Sequence, residues 1–315
     1  MDLSPRVSVV IPTRNRPELV QRAVRSALAQ TYRNLEIVVV VDGPDPQTVS
    51  VLADLGESSI RIRQLAESVG AADARNEGVH VASGEWIAFL DDDDEWLPAK
   101  IEKQVKAAVE SGNLLVIVTC KILLRSGGLD SIVPHHLPAS GQPMSEYVLG
   151  APRNGFQTSS YFASRALMLL VPWSKNLAGL QDFDWFLRAA SYPGATLTVV
   201  AEPLSIYYVE SVDTITRKLS WLTCYEWGQQ NRSLMTPHAY SCFLSRVCAN
   251  RASAQGAGMR VLCKLLFEML FEGRPDLLSI AMFFGYVTVP YKSRRLIGNW
   301  ISRFFAPEAP RAAAV

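Results

Sequence analysis

The stretch VSVVIPTRNRPELVQRAVRSALAQTYRNLEIVVVVDG, from Val7 to Gly43, decides the fold. Val7–Ile11 is a short β-branched run closed by Pro12, which reads as a buried strand. Pro17 opens a helix at a first-turn position, where a missing N–H costs little. Leu19, Val20, Ala23, Val24, Ala27 and Leu28 then recur with the spacing of one buried helix face. Leu35–Val41, LEIVVVV, is a second apolar strand, and Asp42–Gly43–Pro44 ends it. Apolar strands buried on both faces and joined by helices imply a mostly parallel sheet with helical crossovers.

The alternation continues outward. Thr48–Leu55 is weakly helical, Ile60–Leu65 reads as a strand, Ala71–Val81 as a helix and Trp86–Leu90 as a strand. Pro98–Glu110 is a helix and Leu114–Cys120 a fifth strand. The expected fold class is α/β, Rossmann-like, with a mostly parallel central sheet. Ligands of such sheets bind beyond the carboxyl ends of the strands, near the switch point. Pro12–Arg16, Asp42–Pro46 and Asp91–Asp94 each sit at such an end and are expected to converge on one crevice. Residues 121–210 are mixed. They hold a turn at Ser126–Gly128, a helix near Met144–Leu149, a loop Ala151–Thr158 and a short strand near Ser160–Ala163. A helix at Asp182–Ala190 and strands near Thr196–Val200 and Leu204–Tyr208 follow. After Ser211 the chain reads as helices, so a domain over 1–210 and a helical extension over 211–315 are expected.

Composition narrows the function classes. The chain has 315 residues, 49% hydrophobic and 19% charged, so it can bury a large core and is not a low-complexity chain. A net charge of +1 argues against a protein that binds nucleic acid through bulk charge. The charge is uneven. Residues 211–315 carry 13 Lys/Arg against 6 Asp/Glu, whereas residues 1–210 carry 18 against 24. The basic and acidic parts should face different partners. Cys120, Cys224, Cys242, Cys248 and Cys263 form no C-x-x-C pair, which reads as free thiols in a reducing compartment. The first residues, MDLSPRVSVVIP, lack the basic start and long apolar run of a signal peptide. A cytoplasmic location is expected.

In WIAFLDDDDEW four carboxylates directly follow an apolar strand. Their mutual repulsion calls for a cation or hydrogen-bond donors. Oxygen-only ligands suit Mg²⁺ or Mn²⁺. In a strand-like segment Asp91 and Asp93 would point the same way and clamp a metal diphosphate. A solvated acidic turn before a helix is the alternative for this cluster taken alone.

The cluster stands in order with SVGAADARNEGV (68–79) and with the opening stretch. Together these resemble the family 2 inverting glycosyltransferases, over about residues 6–120 and more loosely over 150–210. The resemblance implies a GT-A fold and an enzyme that uses a nucleotide-diphosphate sugar, UDP-linked by first choice. Pro12, Thr13 and Arg14 then belong to the loop under the nucleotide base, where relatives often have Tyr in place of Arg14. A guanidinium also stacks on a base. Asp42 matches the carboxylate that accepts from the base, and locally it also suits a turn. Arg75, in Ala74–Arg75–Asn76, meets phosphate or an acidic neighbour. Asp91 and Asp93 match the D-x-D, with Asp93 on the metal and Asp91 and Asp92 on the ribose and diphosphate side.

GLQDFDWFLRAA resembles the family's acidic helix start. Gln181 replaces the first acid, and Asp182 falls on the position of the base that takes the acceptor's proton. A helix cap is the alternative for Asp182, Asp184 is the backup base, and Trp185 suits either a sugar face or the core. Many relatives carry a His shortly after the strand matching Leu204–Tyr208, where it reaches the metal or diphosphate. This chain has YYVESVDT there.

Leu277–Tyr291 is 15 residues without a charge, too short to span a bilayer. In the following KSRRLIGNWISRFF, Leu296, Ile297, Trp300, Ile301, Phe304 and Phe305 share one helical face. Such a basic amphipathic helix suits an anionic membrane surface or packs on the catalytic domain. The partners implied are a nucleotide-sugar donor and a glycan or lipid-linked acceptor, with the inner membrane face as a docking surface. Two rivals remain. One is a non-catalytic nucleotide-sugar-binding scaffold. The other is a nucleotidyltransferase, which the glycine-free first loop PTRNRPE disfavours. No G-x-G-x-x-G follows the first strand, against a dinucleotide-dependent dehydrogenase.

Overall fold

The structure, a computed structural model, describes residues 4–126, 129–150, 154–177, 179–209, 219–290 and 293–294. The chain divides into two compact units, Met1–Lys218 and Leu219–Val315.

The first unit is built on one sheet. Its strands are β1 (Val7–Thr13), β2 (Leu35–Val41), β3 (Ile60–Gln64), β4 (Trp86–Phe89), β5 (Glu95–Trp96), β6 (Val116–Ser126), β7 (Leu129–Val133), β8 (Phe162–Ser164) and β9 (Thr196–Tyr208). They run in the order β3-β2-β1-β4-β8-β6-β9-β5, with β7 paired to β6. β3, β2, β1 and β4 are parallel, as are β6 and β9. The short β8 runs antiparallel between β4 and β6, and β5 and β7 are also antiparallel to their partners.

The helices are α1 (Pro17–Leu28), α2 (Pro46–Ala53), α3 (Ala71–Val81), α4 (Lys100–Ser111), α5 (Met144–Gly150), α6 (Arg165–Leu170) and α7 (Gln181–Ala190). The core forms where the sequence periodicities place it. Val9, Ile11, Val39 and Val41 are fully buried under the Val20, Ala23, Val24 and Ala27 face of α1. α3 lies on the opposite face, close enough that a Cβ on Gly78 would meet Val10 Cγ1 at 2.3 Å. Each fully buried Val or Ile contributes about 1.5–3 kcal/mol, so these strands hold the frame that carries the loops.

Several boundaries differ from the expectation, each for a physical reason. β1 runs through Pro12 to Thr13, because β4 pairs only as far as Val10 with Phe89. Beyond that point the side of β1 toward β4 offers no ladder for the missing Pro12 N–H to break. The two strands expected around Thr196–Tyr208 are one. Register shifts at Cys120–Ile122 absorb Pro203. β6 and β7 pair out to Ser126 with Leu129, and of the turn expected at Ser126–Gly128 residues 127 and 128 lie outside the described residues. The strand expected near Ser160–Ala163 is a 3₁₀ turn, Thr158–Ser160, followed by β8.

The second unit is helical: α8 (Trp221–Gln230), α9 (Pro237–Phe243), α10 (Asn250–Ala254), α11 (Met259–Phe271) and α12 (Leu277–Thr288), with a π-helical turn Leu244–Ala249 joining α9 to α10. Among the described residues no helix is long and apolar enough to cross a membrane. Apart from Ser293 and Arg294, the basic amphipathic segment Lys292–Phe305 lies outside the described residues.

Candidate active site

In the order 3-2-1-4 the chain leaves β1 toward β2 on one side and returns to β4 on the other. The crevice beyond the carboxyl ends of β1 and β4 is therefore the switch point. A cleft of about 440 Å³ opens there. The first-choice residues for donor, metal and base line it: Pro12, Thr13 and Arg14 after β1, Asp42 after β2, Arg75 on α3, Asp91, Asp92 and Asp93 after β4, and Asp182 on α7.

The acidic segment is not strand-like. β4 ends at Phe89, and Asp91–Asp94 form a turn closed by the Asp94 N–H donating to the Asp91 carbonyl at 3.1 Å. The picture of Asp91 and Asp93 projecting together from a strand is thus corrected. Each carboxylate is drawn to its own donor. Arg75 Nη2 reaches Asp91 Oδ1 at 2.6 Å, and the Thr13 hydroxyl donates to Asp92 at 2.8 Å. Arg16 Nη1 contacts Asp92 at 3.1 Å and Asp93 at 3.3 Å. Burial and the neighbouring acids push Asp92 up to about 6, despite the opposing pull of Arg16. Asp93 is raised by burial and by Asp91. Asp94 is fully buried and accepts from Ser159 and Gln157, and its Oδ1 has no hydrogen-bond partner among the described residues.

Asp42 is held by the loop before α3. It accepts from the Ser68 hydroxyl at 2.8 Å and from the N–H groups of Val69 at 2.7 Å and Gly70 at 3.1 Å. Gly70 has φ +87°, a conformation that suits glycine and turns its N–H onto that carboxylate.

Asp182 is not a helix cap. The residue at the cap of α7 is Leu180, in the left-handed region at φ +60°, strained for a side chain of that kind. Asp182 stands one position inside the first turn and accepts from the Thr158 hydroxyl and N–H. The helix N-terminus favours its charged form. Burial and the facing Asp91 outweigh that effect and the pull of Arg75, raising Asp182 to about 6.

Gln181 accepts from Arg75 Nη1 at 2.8 Å, so Arg75 bridges α7 to Asp91. Stacking of Arg75 on Trp173, 4.7 Å from the ring centre, fixes it further. Asp184 bonds Ser174 and Arg188 and does not line the cleft, which removes it as the backup base. Trp185 is fully buried, stacked on Trp173, and belongs to the core, not to a sugar subsite.

Three polar side chains of the cleft carried no assigned role in the sequence reading: Arg16, Gln157 and Tyr207. Arg16 lay in the polar group Pro12–Arg16, and Gln157 in the loop Ala151–Thr158. Tyr207 had no local signal, because the pairing of β9 with β6 and with β5, the strand after the acidic turn, brings it to the cleft. Burial and the acidic cluster push its hydroxyl up to about 12, so it stays neutral.

The donor set fits a divalent cation under one condition. Among the described residues no three acids, His or Cys form a ready cage. Mg²⁺-type ions are commonly held by one or two carboxylates plus substrate phosphates, and the cleft offers Asp91 and Asp93 for that.

A glycosyltransferase of Rickettsia typhi is 38% identical over 117 residues, which is 37% of this chain and 36% of that protein, so the match spans about a third of its length. The amylovoran biosynthesis glycosyltransferase AmsB of Erwinia amylovora is 26% identical over 249 residues, covering 74% of this chain and 82% of AmsB. The UDP-Glc:alpha-D-GlcNAc-diphosphoundecaprenol beta-1,3-glucosyltransferase WfaP of Escherichia coli is 37% identical over 99 residues, 31% of this chain and 39% of WfaP. Two solved structures share the fold. TarS 1–349 of S. aureus with UDP-GlcNAc has a TM-score of 0.58 at 15% identity, covering 92% of each chain. The mannosyltransferase PcManGT of Pyrobaculum calidifontis with GDP-Man and Mn²⁺ has 0.57 at 17% identity, covering 96% of this chain and 88% of that one. The family model for glycosyl transferase family 2 matches residues 8–169, a span that holds the whole β1–β4 frame and its acidic turn, and the chain belongs to that family.

Proposed function

We propose that this protein is a divalent-metal-dependent inverting glycosyltransferase that moves a sugar from a nucleotide-diphosphate donor, UDP-linked by first choice, to a hydroxyl of a lipid-linked glycan. The observation that carries this reading is the meeting of Asp182 with Asp91–Asp93 and Arg75 across one cleft. Pro12, Thr13, Arg14 and Asp42 bind the nucleoside end. Asp91 and Asp92 face the ribose and diphosphate, and Arg75 holds Asp91 in place. Asp91 and Asp93 are the residues that would hold Mn²⁺ or Mg²⁺. Such an ion neutralises charge that builds on the departing diphosphate. Asp182 accepts the proton of the acceptor hydroxyl as that oxygen bonds to the anomeric carbon. The bond from that carbon to the diphosphate breaks on the opposite side, and a nucleoside diphosphate leaves.

The test is a thermal-shift screen of UDP, GDP and dTDP with and without Mn²⁺, followed by turnover with the matching sugars. One nucleotide should stabilise the protein by about 2.7 kcal/mol at 100 times its Kd, and only with the metal. A cooperative melt that no nucleotide shifts would favour a scaffold.

The lipid-linked acceptor is supported by the name of WfaP and by the surface of the second unit. Phe267, Leu270 and Phe271 at the end of α11, and Leu277 and Leu278 at the start of α12, are exposed, Phe271 at 71% and Leu277 at 86%. Arg260 and Lys264 are exposed on α11. Apolar side chains next to basic ones suit an anionic lipid surface. The protein is expected to co-sediment with phosphatidylglycerol-rich vesicles at low salt. Glu at both Phe271 and Leu277 should cut that partitioning at least about tenfold. Equal partitioning of the two proteins would remove the membrane from the reading.

A further inference from the structure

Three guanidiniums serve the acidic turn, and they are not equivalent. Arg75 is buried, bonded to Asp91 and Gln181, and stacked on Trp173. Arg22 donates to the Asp93 carbonyl at 2.6 Å, pairs with Glu95 at 3.2 Å and lies 4.2 Å over the Tyr208 ring. Both are tied to the frame by groups outside the cleft.

Arg16 is different. Its side chain is 39% exposed, it lines the cleft, and its guanidinium contacts only Asp92 and Asp93 among the described residues. It sits at the N-cap of α1 without making a side-chain cap. Among the described residues those two carboxylates alone hold its head by hydrogen bonds. A guanidinium also binds diphosphate oxygens through paired, charge-assisted bonds.

We propose that Arg16 is an exchangeable cation of the donor site, holding Asp92 and Asp93 while the cleft is empty and turning to the donor diphosphate when metal and nucleotide enter. This rests on the functional reading above. It gives the cationic contact with the diphosphate to a residue of the first loop, in a chain whose sequence YYVESVDT at and after the end of β9 holds no His. Until the donor arrives, Arg16 screens the acidic turn. Asp91 and Asp93 would hold a divalent ion that takes over this screening, and Arg16 is then free to meet the negative charge of the diphosphate. Binding of metal and nucleotide is thereby coupled, because each relieves the cost of moving Arg16.

The experiment measures Mn²⁺ alone, and then UDP at saturating Mn²⁺, by isothermal titration against wild type, Arg16→Gln and Arg16→Lys. Losing a charged hydrogen-bonding group is worth about tenfold or more in affinity. Arg16→Gln should bind Mn²⁺ alone about tenfold more tightly and UDP about tenfold more weakly. Arg16→Lys keeps a charge but not the fork, and should lie between. If Arg16→Gln fails to fold, Arg16→Lys still reads both shifts. Unchanged or weaker Mn²⁺ binding in folded variants, with wild type binding UDP, overturns the exchange alone. Wild type that binds neither Mn²⁺ nor UDP overturns the functional reading itself.

Discussion

Asp182→Asn is expected to lower turnover by about 10²–10⁴-fold while leaving nucleotide binding intact, as measured by sugar transfer and by UDP titration. The substitution removes a proton acceptor and keeps an acceptor for the Thr158 hydroxyl. It does not touch the carboxylates after β4. Wild-type kcat/KM should fall below about pH 6, because the base must be deprotonated to work and its pKa is raised to about 6. The stability sign runs the other way. A carboxylate with a folded pKa above its ordinary value favours the folded state when protonated, and that gain is lost as pH rises through about 6. The Asn variant, neutral at every pH, should therefore unfold no earlier than wild type at pH 8. A variant that keeps full turnover, or loses turnover and UDP binding together, would show that Asp182 is not the base.

Asp93→Ala is expected to abolish the metal-dependent part of nucleotide stabilisation and to lower turnover by about 10²-fold or more, since charge neutralisation at a leaving group is worth several kcal/mol. At neutral pH the ionised Asp93 is unfavourable, because burial and Asp91 both raise its pKa. Its removal should leave the ligand-free melting temperature unchanged or higher. A fall in ligand-free stability with nucleotide stabilisation retained would make Asp93 a structural member of the turn and move the ion to Asp91.

The strands β1, β2 and the helix α1 were legible because each obeys a local rule. Unbroken β-branched runs can only be buried, and the apolar residues of the helix recur on one face. The site residues were legible by type and place, since each follows a strand whose carboxyl end must open on the switch point. Sequence alone thus determined the α/β frame, the family, and which loops meet.

Tertiary structure decided what each polar group does on arrival. Whether Asp182 caps α7 or waits in the cleft depended on Leu180 taking the cap and on Thr158 arriving from a different segment. Whether the four aspartates form a strand or a turn depended on where β4 runs out of partner and on which arginines reach them. Arg16 gained meaning only through Asp92 and Asp93, 76 and 77 positions away, and Tyr207 through burial and the charges of aspartates from two other segments. Periodicity is a property of neighbours along the chain. A charge, by contrast, is set by whatever the fold places within a few ångströms of it, and no local pattern encodes that.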